Sequence, residues 1–370
     1  MCAWKTFDDD CSRVIASVRD ERDFADPFAF LSLSHSPAEQ LKCAQLFCSD
    51  KLPLSDAPRW RGRHYSHDRI RVAYISADFR DHAVSYLLAG LFEQHDRRLF
   101  ETVAVSLFPD RQSEMRRRLE GAFARYIDAS NGSDMDAYHV LRELEIDIAV
   151  DLMGHTAGAR PGIFASRPAP IQVSYLGYPG TTGASWVDYI IADRFVIPED
   201  QRKHYSEKVV LLPETFQAND SKRQFGHNHL SRAEAGLPET GFIFCSFNGN
   251  HKIAPAVFNV WMHLLSGVEN SVLWLHIPNA RAEHNLRREA YARGIEPARI
   301  IAAPTLGYSE HLARCRLGDL FLDTFPFNAG ATASDALWSG LPLVTCCGDA
   351  FASRMAGSLL HAIGLPELIT

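Results

Sequence analysis

From Arg69 to the end of the chain, short apolar runs closed by Gly, Pro, Asn or Asp alternate with stretches whose apolar residues fall on one helical face. Runs of the first kind suit strands buried on both faces, and stretches of the second kind suit amphipathic helices. The pattern predicts strands at 71–76, 101–108 and 146–152, with helices over 85–96, 113–125 and 134–145 between them. Further strands are expected at 171–177, 187–193 and 207–213. A second series begins with a strand at 242–248 and runs through strands at 271–278, 299–304, 319–324 and 342–346. Helices over 255–265, 281–293, 308–315 and 333–340 separate these.

Strands that alternate with helices belong to parallel sheets covered on both faces, so the fold class is α/β. Residues 1–67 read differently, as a helical lead-in with amphipathic pieces at Cys11–Arg19 and Pro37–Phe47 followed by a Pro-containing linker. The polar stretch 214–238 reads as an interdomain connection. The expected organisation is therefore a lead-in over 1–67, a first Rossmann-like domain over 68–228 and a second over 238–370. Two such domains in one chain are expected to face a central cleft at the carboxyl ends of their strands.

Composition narrows the function. The chain has 370 residues, 46% hydrophobic and 22% charged, the balance of a globular protein with two cores. A net charge of −7 gives no reason to expect a nucleic-acid partner, and the run Arg116, Arg117, Arg118 reads as a solvated helix face. Eight cysteines carry no CxxC pair and several sit in apolar runs, which argues against a disulfide framework and for a reducing compartment. No basic segment followed by an apolar one opens the chain, and no apolar run reaches the roughly 18–20 residues of a membrane helix. The cytoplasm is the expected location, with no membrane partner.

Four segments could carry chemistry. SADFRDH (76–82) follows the first strand, where His82 could take a proton from a hydroxyl, although Asp78 and His82 would equally cap the next helix. DLMGHTAGARPGIFASRPAPIQVSYLGYPGTTG (151–183) is rich in Gly, Pro and Thr, and for most of it tight turns are the simpler reading. FNGNHKI (247–253) places Lys252 at a strand end, where a fixed cation could stabilise a departing diphosphate, although a lone lysine is more often a surface residue. NAGATASDALWSGLP (328–342) opens a helix near Thr332, whose free N–H groups could seat a phosphate while Asp335 could hold ribose hydroxyls, although Thr and Asp would equally suit an ordinary helix start. Upstream, His311 and Arg314 share one helical face. His139, on the helix over 134–145, is a secondary candidate. No metal site is expected, since the 16 histidines show no HExxH or other ligand spacing.

Together SADFRDHAVSYL, the 151–183 segment, FNGNHKI and LFLDTFPFNAGATASDALWSGLPLVT resemble the bacterial O-GlcNAc transferase and SPINDLY-like group, over roughly four-fifths of the chain. The resemblance implies a GT-B architecture and an inverting transferase that needs no metal and no cofactor. Its substrates would be the nucleotide sugar UDP-GlcNAc and a protein acceptor hydroxyl on Ser or Thr. Position by position, it implies that His82 accepts the proton and Lys252 contacts the diphosphate. Gly249 falls where the group can place a glutamine. Leu306, Gly307 and Tyr308, with His311, Leu312, Ala313 and Arg314, fall on segments that cradle the base. Gly330, Ala331 and Thr332 match the phosphate-binding helix start, where some members carry His-Thr-Thr, and Asp335 matches the ribose-binding aspartate. GDP-fucose as donor, or a scaffold without activity, are the alternatives. Members of the group also carry tetratricopeptide repeats before this region and helices after it, so 1–67 is at most a repeat remnant and the second domain is expected to be truncated.

Overall fold

The computed structural model describes residues 2–52, 60, 62, 65–109, 113–226 and 230–370. Three helices lead in: α1 (Phe7–Arg19), α2 (Pro27–Phe30) and α3 (Pro37–Lys51). The start of α3 follows from its sequence, since Ser36 Oγ accepts the Glu39 N–H at 3.4 Å and Pro37 occupies the first turn, where no N–H is missed. These pieces do not form a body of their own. The chain divides into two compact units, one of Met1–Ile15, Leu31–His35 and Arg223–Thr370, the other of Ala16–Phe30 and Ser36–Lys222. The apolar residues of the lead-in explain the division, because they bury in different cores. Cys2 and Trp4 join the cluster around Phe258, whereas Cys48 and Leu52 join the one around Ile75. Residues 53–59, within the expected Pro-containing linker, and the expected boundary at 228 lie outside the described residues.

The unit that ends at Lys222 contains β1 (Ile70–Ser76), β2 (Phe100–Ser106), β3 (Arg125–Asp128), β4 (Ile148–Asp151), β5 (Ile171–Ser174), β6 (Tyr189–Ala192) and β7 (Lys208–Leu211). Its later helices are α4 (Ala83–Glu93), α5 (Glu114–Ala122), α6 (Asp134–Glu143) and α7 (Pro161–Ala165). The strands form one parallel sheet in the order β3-β2-β1-β4-β5-β6-β7. Alternate residues of β1 feed two cores: Ala73 and Ile75 on one face, Val72 and Tyr74 on the other. A sheet covered on both faces explains the unbroken apolar runs, and each fully buried aliphatic side chain such as Ile75 contributes about 1.5–3 kcal/mol.

Two features of this unit depart from expectation. The helix predicted over 113–125 stops at Ala122, and Arg125–Asp128 forms the edge strand β3. An edge strand has one neighbour and a part-exposed face, so its RYID sequence carries no apolar signature. The arginine run is also more than a solvated face. Arg118 holds Asp220 at 2.6 Å and Glu93 at 2.8 Å, and Arg116 stacks over Tyr126 at 3.8 Å from the ring centre. The Asp220 side chain is only 1% exposed, so Arg118 neutralises a buried charge and ties the segment before Lys222 to α4 and α5.

The unit that ends at Thr370 contains β8 (Ile243–Ser246), β9 (Val272–His276), β10 (Ile300–Ala303), β11 (Leu320–Leu322) and β12 (Leu343–Val344). Its helices after Arg223 are α8 (Pro255–Gly267), α9 (Ala280–Ala292), α10 (Tyr308–Cys315), α11 (Ala331–Trp338) and α12 (Met355–Ala362). This sheet is also parallel, in the order β10-β9-β8-β11-β12. In each unit the strand order reverses beside the first strand: between β1 and β4, and between β8 and β11. Parallel α/β sheets bind ligands at the carboxyl ends of the strands flanking such a reversal. Among the described residues, no helix is long and apolar enough to cross a membrane.

Candidate functional site

At the reversal between β1 and β4, the turn after Ser76 meets the turn after Asp151. Ser76 Oγ lies 3.3 Å from Met153 Sδ, and the Leu152 N–H donates to Ile75 O at 3.1 Å. His82 precedes α4 as its cap, and its Nδ1 accepts the Val84 N–H at 3.3 Å. The same Nδ1 stands 3.4 Å from Asp78 Oδ2. Two neighbours thus compete for one nitrogen. With the proton on Nδ1 the ring faces the carboxylate and leaves Nε2 as an acceptor; with the proton on Nε2 it keeps the cap. The capping alternative read from the sequence therefore holds for His82 without removing its candidacy. Asp78 does not cap; it is itself fixed, its N–H on Ser76 Oγ at 2.9 Å and its carbonyl accepting from Ser85 Oγ at 2.5 Å. Burial pulls the His82 pKa below its ordinary value, opposed by Asp78, so the ring is neutral at pH 7.

The GYPGTTG turn follows the simpler reading. Gly177 passes so close to Leu152 that a Cβ there would lie 1.8 Å from its carbonyl oxygen, and Gly183, at φ +67°, would press a Cβ to 2.6 Å from the α3 backbone. Buried Glu207 accepts from Thr181 Oγ1 at 2.7 Å and from the Thr182 N–H at 2.7 Å, which locks the turn. These threonines serve the fold. His139 lies exposed on α6.

At the reversal between β8 and β11, the turn after Ser246 meets the turn after Leu322. Gly249 precedes a short 3-10 turn, Asn250–Lys252, that lifts Lys252 off the strand end. Lys252 Nζ donates to Asn328 O at 2.8 Å and sits 3.6 Å from the centre of the Phe327 ring. Burial lowers its pKa to about 8, with Asp323 opposing. Asp323 organises the loop beyond: its Oδ1 accepts the N–H groups of Thr324 and Ala329 at 2.7 Å and Asn248 Nδ2 at 3.1 Å, and its Oδ2 accepts from Thr345 Oγ1 at 2.6 Å. α11 starts at Ala331, after Gly330, with no side chain capping it. Thr332 Oγ1 donates to Asn248 Oδ1 at 2.5 Å, so its proton is already engaged. What this helix start offers an anion is main-chain N–H and the positive end of the dipole, which the small Gly330 and Ala331 leave uncovered.

The residues expected around a base lie on and beside α10. Leu306 is half-buried and Gly307 exposed, while Leu312 is fully buried beside the half-buried Ala313. Leu312 therefore belongs to the core. His311 and Arg314 do meet: Arg314 Nε donates to His311 Nδ1 at 3.0 Å, and both pack on Phe247. Burial and the Arg314 charge push the His311 pKa down to about 3, so this ring stays neutral. Tyr308 OH donates to Asp335 Oδ1 at 2.7 Å. Asp335 is 5% exposed, and burial raises its pKa to about 6. Three residues that sequence reasoning missed complete this region: Asn248, Asp323 and Arg223. The first two could have been found as polar residues directly after apolar strands; Arg223 sits in a polar stretch and carries no such signal.

Comparison with known proteins agrees with this geometry. The model of glycosyl transferase family 41 matches residues 2–231 and 226–370. The Arabidopsis thaliana protein named probable UDP-N-acetylglucosamine–peptide N-acetylglucosaminyltransferase SEC is 39% identical over 302 residues, 80% of this chain and 31% of its own length. The Caenorhabditis elegans UDP-N-acetylglucosamine–peptide N-acetylglucosaminyltransferase is 27% identical over 434 residues, covering 86% of this chain and 37% of its own length. The chain thus spans about a third of the length of these curated relatives. Among solved structures, a mutant of the Thermobaculum terrenum O-GlcNAc transferase superposes with a TM-score of 0.84 at 28% identity, over 97% of this chain and 70% of that one. A family model that accounts for the chain from Cys2 to Thr370, with two parallel α/β sheets of the GT-B kind beneath it, leaves one conclusion: the chain belongs to glycosyl transferase family 41.

Proposed function

We propose that this chain is the catalytic region of a protein O-GlcNAc transferase, moving GlcNAc from UDP-GlcNAc to Ser or Thr hydroxyls with inversion and without metal or cofactor. His82 takes the acceptor proton on Nε2, with Asp78 holding the tautomer that frees it. The acceptor oxygen attacks the anomeric carbon as the bond from that carbon to the phosphate oxygen breaks, and the electron pair leaves on the diphosphate. Lys252 and the N–H groups at the start of α11 stabilise that charge, Asp335 accepts from the ribose, and the α10 segment takes the base.

The observation that supports this most is the meeting of Lys252 and the uncapped α11 start at the β8/β11 reversal, a cation and a helix dipole converging as a diphosphate requires. The names of the relatives point to the same donor and to peptide acceptors. The eight free cysteines support a cytoplasmic location, and the net charge supports an acceptor that is protein rather than nucleic acid.

The test is a comparison of thermal stabilisation by UDP, UDP-GlcNAc, GDP and GDP-fucose. A shift with the uridine pair that disappears in Lys252→Ala is expected. A shift with the guanosine pair would move the donor to fucose, and no shift with any would sink the transferase reading.

A further inference from the structure

Arg223 opens the Arg223–Thr370 stretch of its unit, directly after the segment that Arg118 anchors in the other. Its side chain is 3% exposed. NH1 donates to Ser334 Oγ at 3.1 Å and to Asp335 Oδ1 at 3.2 Å, and the guanidinium lies 4.5 Å from the ring of Trp338. One side chain thus grips three positions along α11. Tyr308 OH reaches the same Asp335 oxygen at 2.7 Å. Oδ1 therefore takes two donors, while Oδ2 faces His311 Nε2 at 3.7 Å, beyond hydrogen-bonding range. The carboxylate is gripped by one oxygen and presents the other.

We propose that Arg223 is a positioning residue for the donor nucleotide, holding Asp335 by Oδ1 so that Oδ2 is aimed to accept hydroxyls of a ribose. The proposal rests on the nucleotide-sugar reading above and adds to it a residue from outside the motifs. A carboxylate reads a sugar hydroxyl well only when it is ionised and fixed in direction. The geometry gives direction through a bond at one oxygen and stacking on Trp338. Charge works the same way. Burial raises the Asp335 pKa to about 6, and Tyr308 and Arg223 oppose the rise. The other titratable groups facing this carboxylate are His311, held neutral, and the buried thiol of Cys315, both on α10. The positive charge beside Asp335 therefore comes from Arg223. Without it the carboxyl would hold its proton closer to neutrality and could no longer accept as an anion.

The experiment measures Kd for UDP and for 2′,3′-dideoxy-UDP, which lacks both ribose hydroxyls, by calorimetry at pH 7 and pH 8.5. The wild-type chain is expected to prefer UDP by about tenfold or more, as a charged acceptor that loses its hydroxyl partner requires. Arg223→Ala should bring the ratio near one at pH 7 by weakening UDP alone, with part of the preference returning at pH 8.5 as Asp335 ionises. Arg223→Lys keeps the charge without the planar fork and should fall between. A purely structural role would weaken both nucleotides together and leave the ratio intact. Arg223→Gln provides the same reading should the alanine variant not fold. An unchanged ratio in a folded Arg223 variant overturns the proposal, as does a wild-type chain that binds UDP tightly without preferring it. A wild-type chain that binds neither nucleotide overturns the donor reading itself.

Discussion

The strand reversal between β1 and β4 carries Asp78, Arg80, His82 and Asp151; the one between β8 and β11 carries Asn248, Lys252, Asp323 and Thr332. The scaffolding of the two is alike. Asp151 and Asp323 each stand at the end of the strand beside the reversal and accept two main-chain N–H groups from the turn that follows, Met153 and Gly154 in one case, Thr324 and Ala329 in the other. Burial raises both pKa values, to about 6 for Asp151. The side chains presented beyond that scaffold differ. The first reversal offers an imidazole that burial keeps neutral, suited to accepting a proton; the second offers a cation and a bare helix start, suited to negative charge. One fold, used twice in a chain, shows that the backbone plan supplies the location and a handful of side chains decide the chemistry.

That contrast can be broken by substitution. His82→Asn places an amide oxygen where Nδ1 caps α4 and removes the base, and is expected to lower kcat by about 10²–10⁴ with little change in donor Kd. Lys252→Ala should lower kcat by about 10²–10³ and weaken donor binding as well, because the charge it meets is partly present before reaction. Steady-state kinetics on an acceptor peptide, paired with UDP titration, would separate the two; equal effects of both variants on Kd would erase the division of labour.

The pH profile sharpens the same comparison. A base works when deprotonated, so kcat/KM should rise with pH through the His82 pKa, which burial sets below 6.5. A cation works when protonated, so the rate should fall again as pH passes about 8, where Lys252 loses its proton. Lys252→Arg should remove the alkaline limb and leave the acid limb in place. An alkaline limb that persists in that variant assigns it to another group.

The smallest effect concerns the shared scaffold. Asp151 has a folded pKa near 6, above its unfolded value near 3.9, so the folded chain binds the extra proton between those limits. Its contribution to stability is present at low pH and is lost as pH rises through about 6. Asp151→Asn should therefore destabilise more at pH 4.5 than at pH 7.5, by up to about 2–3 kcal/mol in the difference. Urea unfolding at the two pH values measures it, and a penalty that grows with pH would reverse the assignment.

Much of this was legible in the residues. The apolar runs at 71–76, 146–152 and 242–248 located strands of both sheets, because a parallel sheet buried on both faces must be apolar at every position. β3 escaped because an edge strand has no such requirement. At the sites, His82 and Lys252 were visible as reactive side chains directly after strands, and Gly330 to Thr332 as a helix start. The state of each was not. That Thr332 spends its proton on Asn248, that Leu312 belongs to the core, and that Arg118 neutralises a buried aspartate 102 positions away depend on contacts between distant segments.

The sequence by itself determined the α/β class, the succession of two parallel sheets and the residue types at their strand ends, since periodicity and local turn chemistry are properties of neighbours along the chain. Only the tertiary structure decided how the lead-in divides between two cores, which oxygen of Asp335 is held and which is offered, and which nitrogen of His82 meets Asp78. Those outcomes rest on burial and on competition among hydrogen-bond partners far apart in sequence, which exist only once the chain has folded.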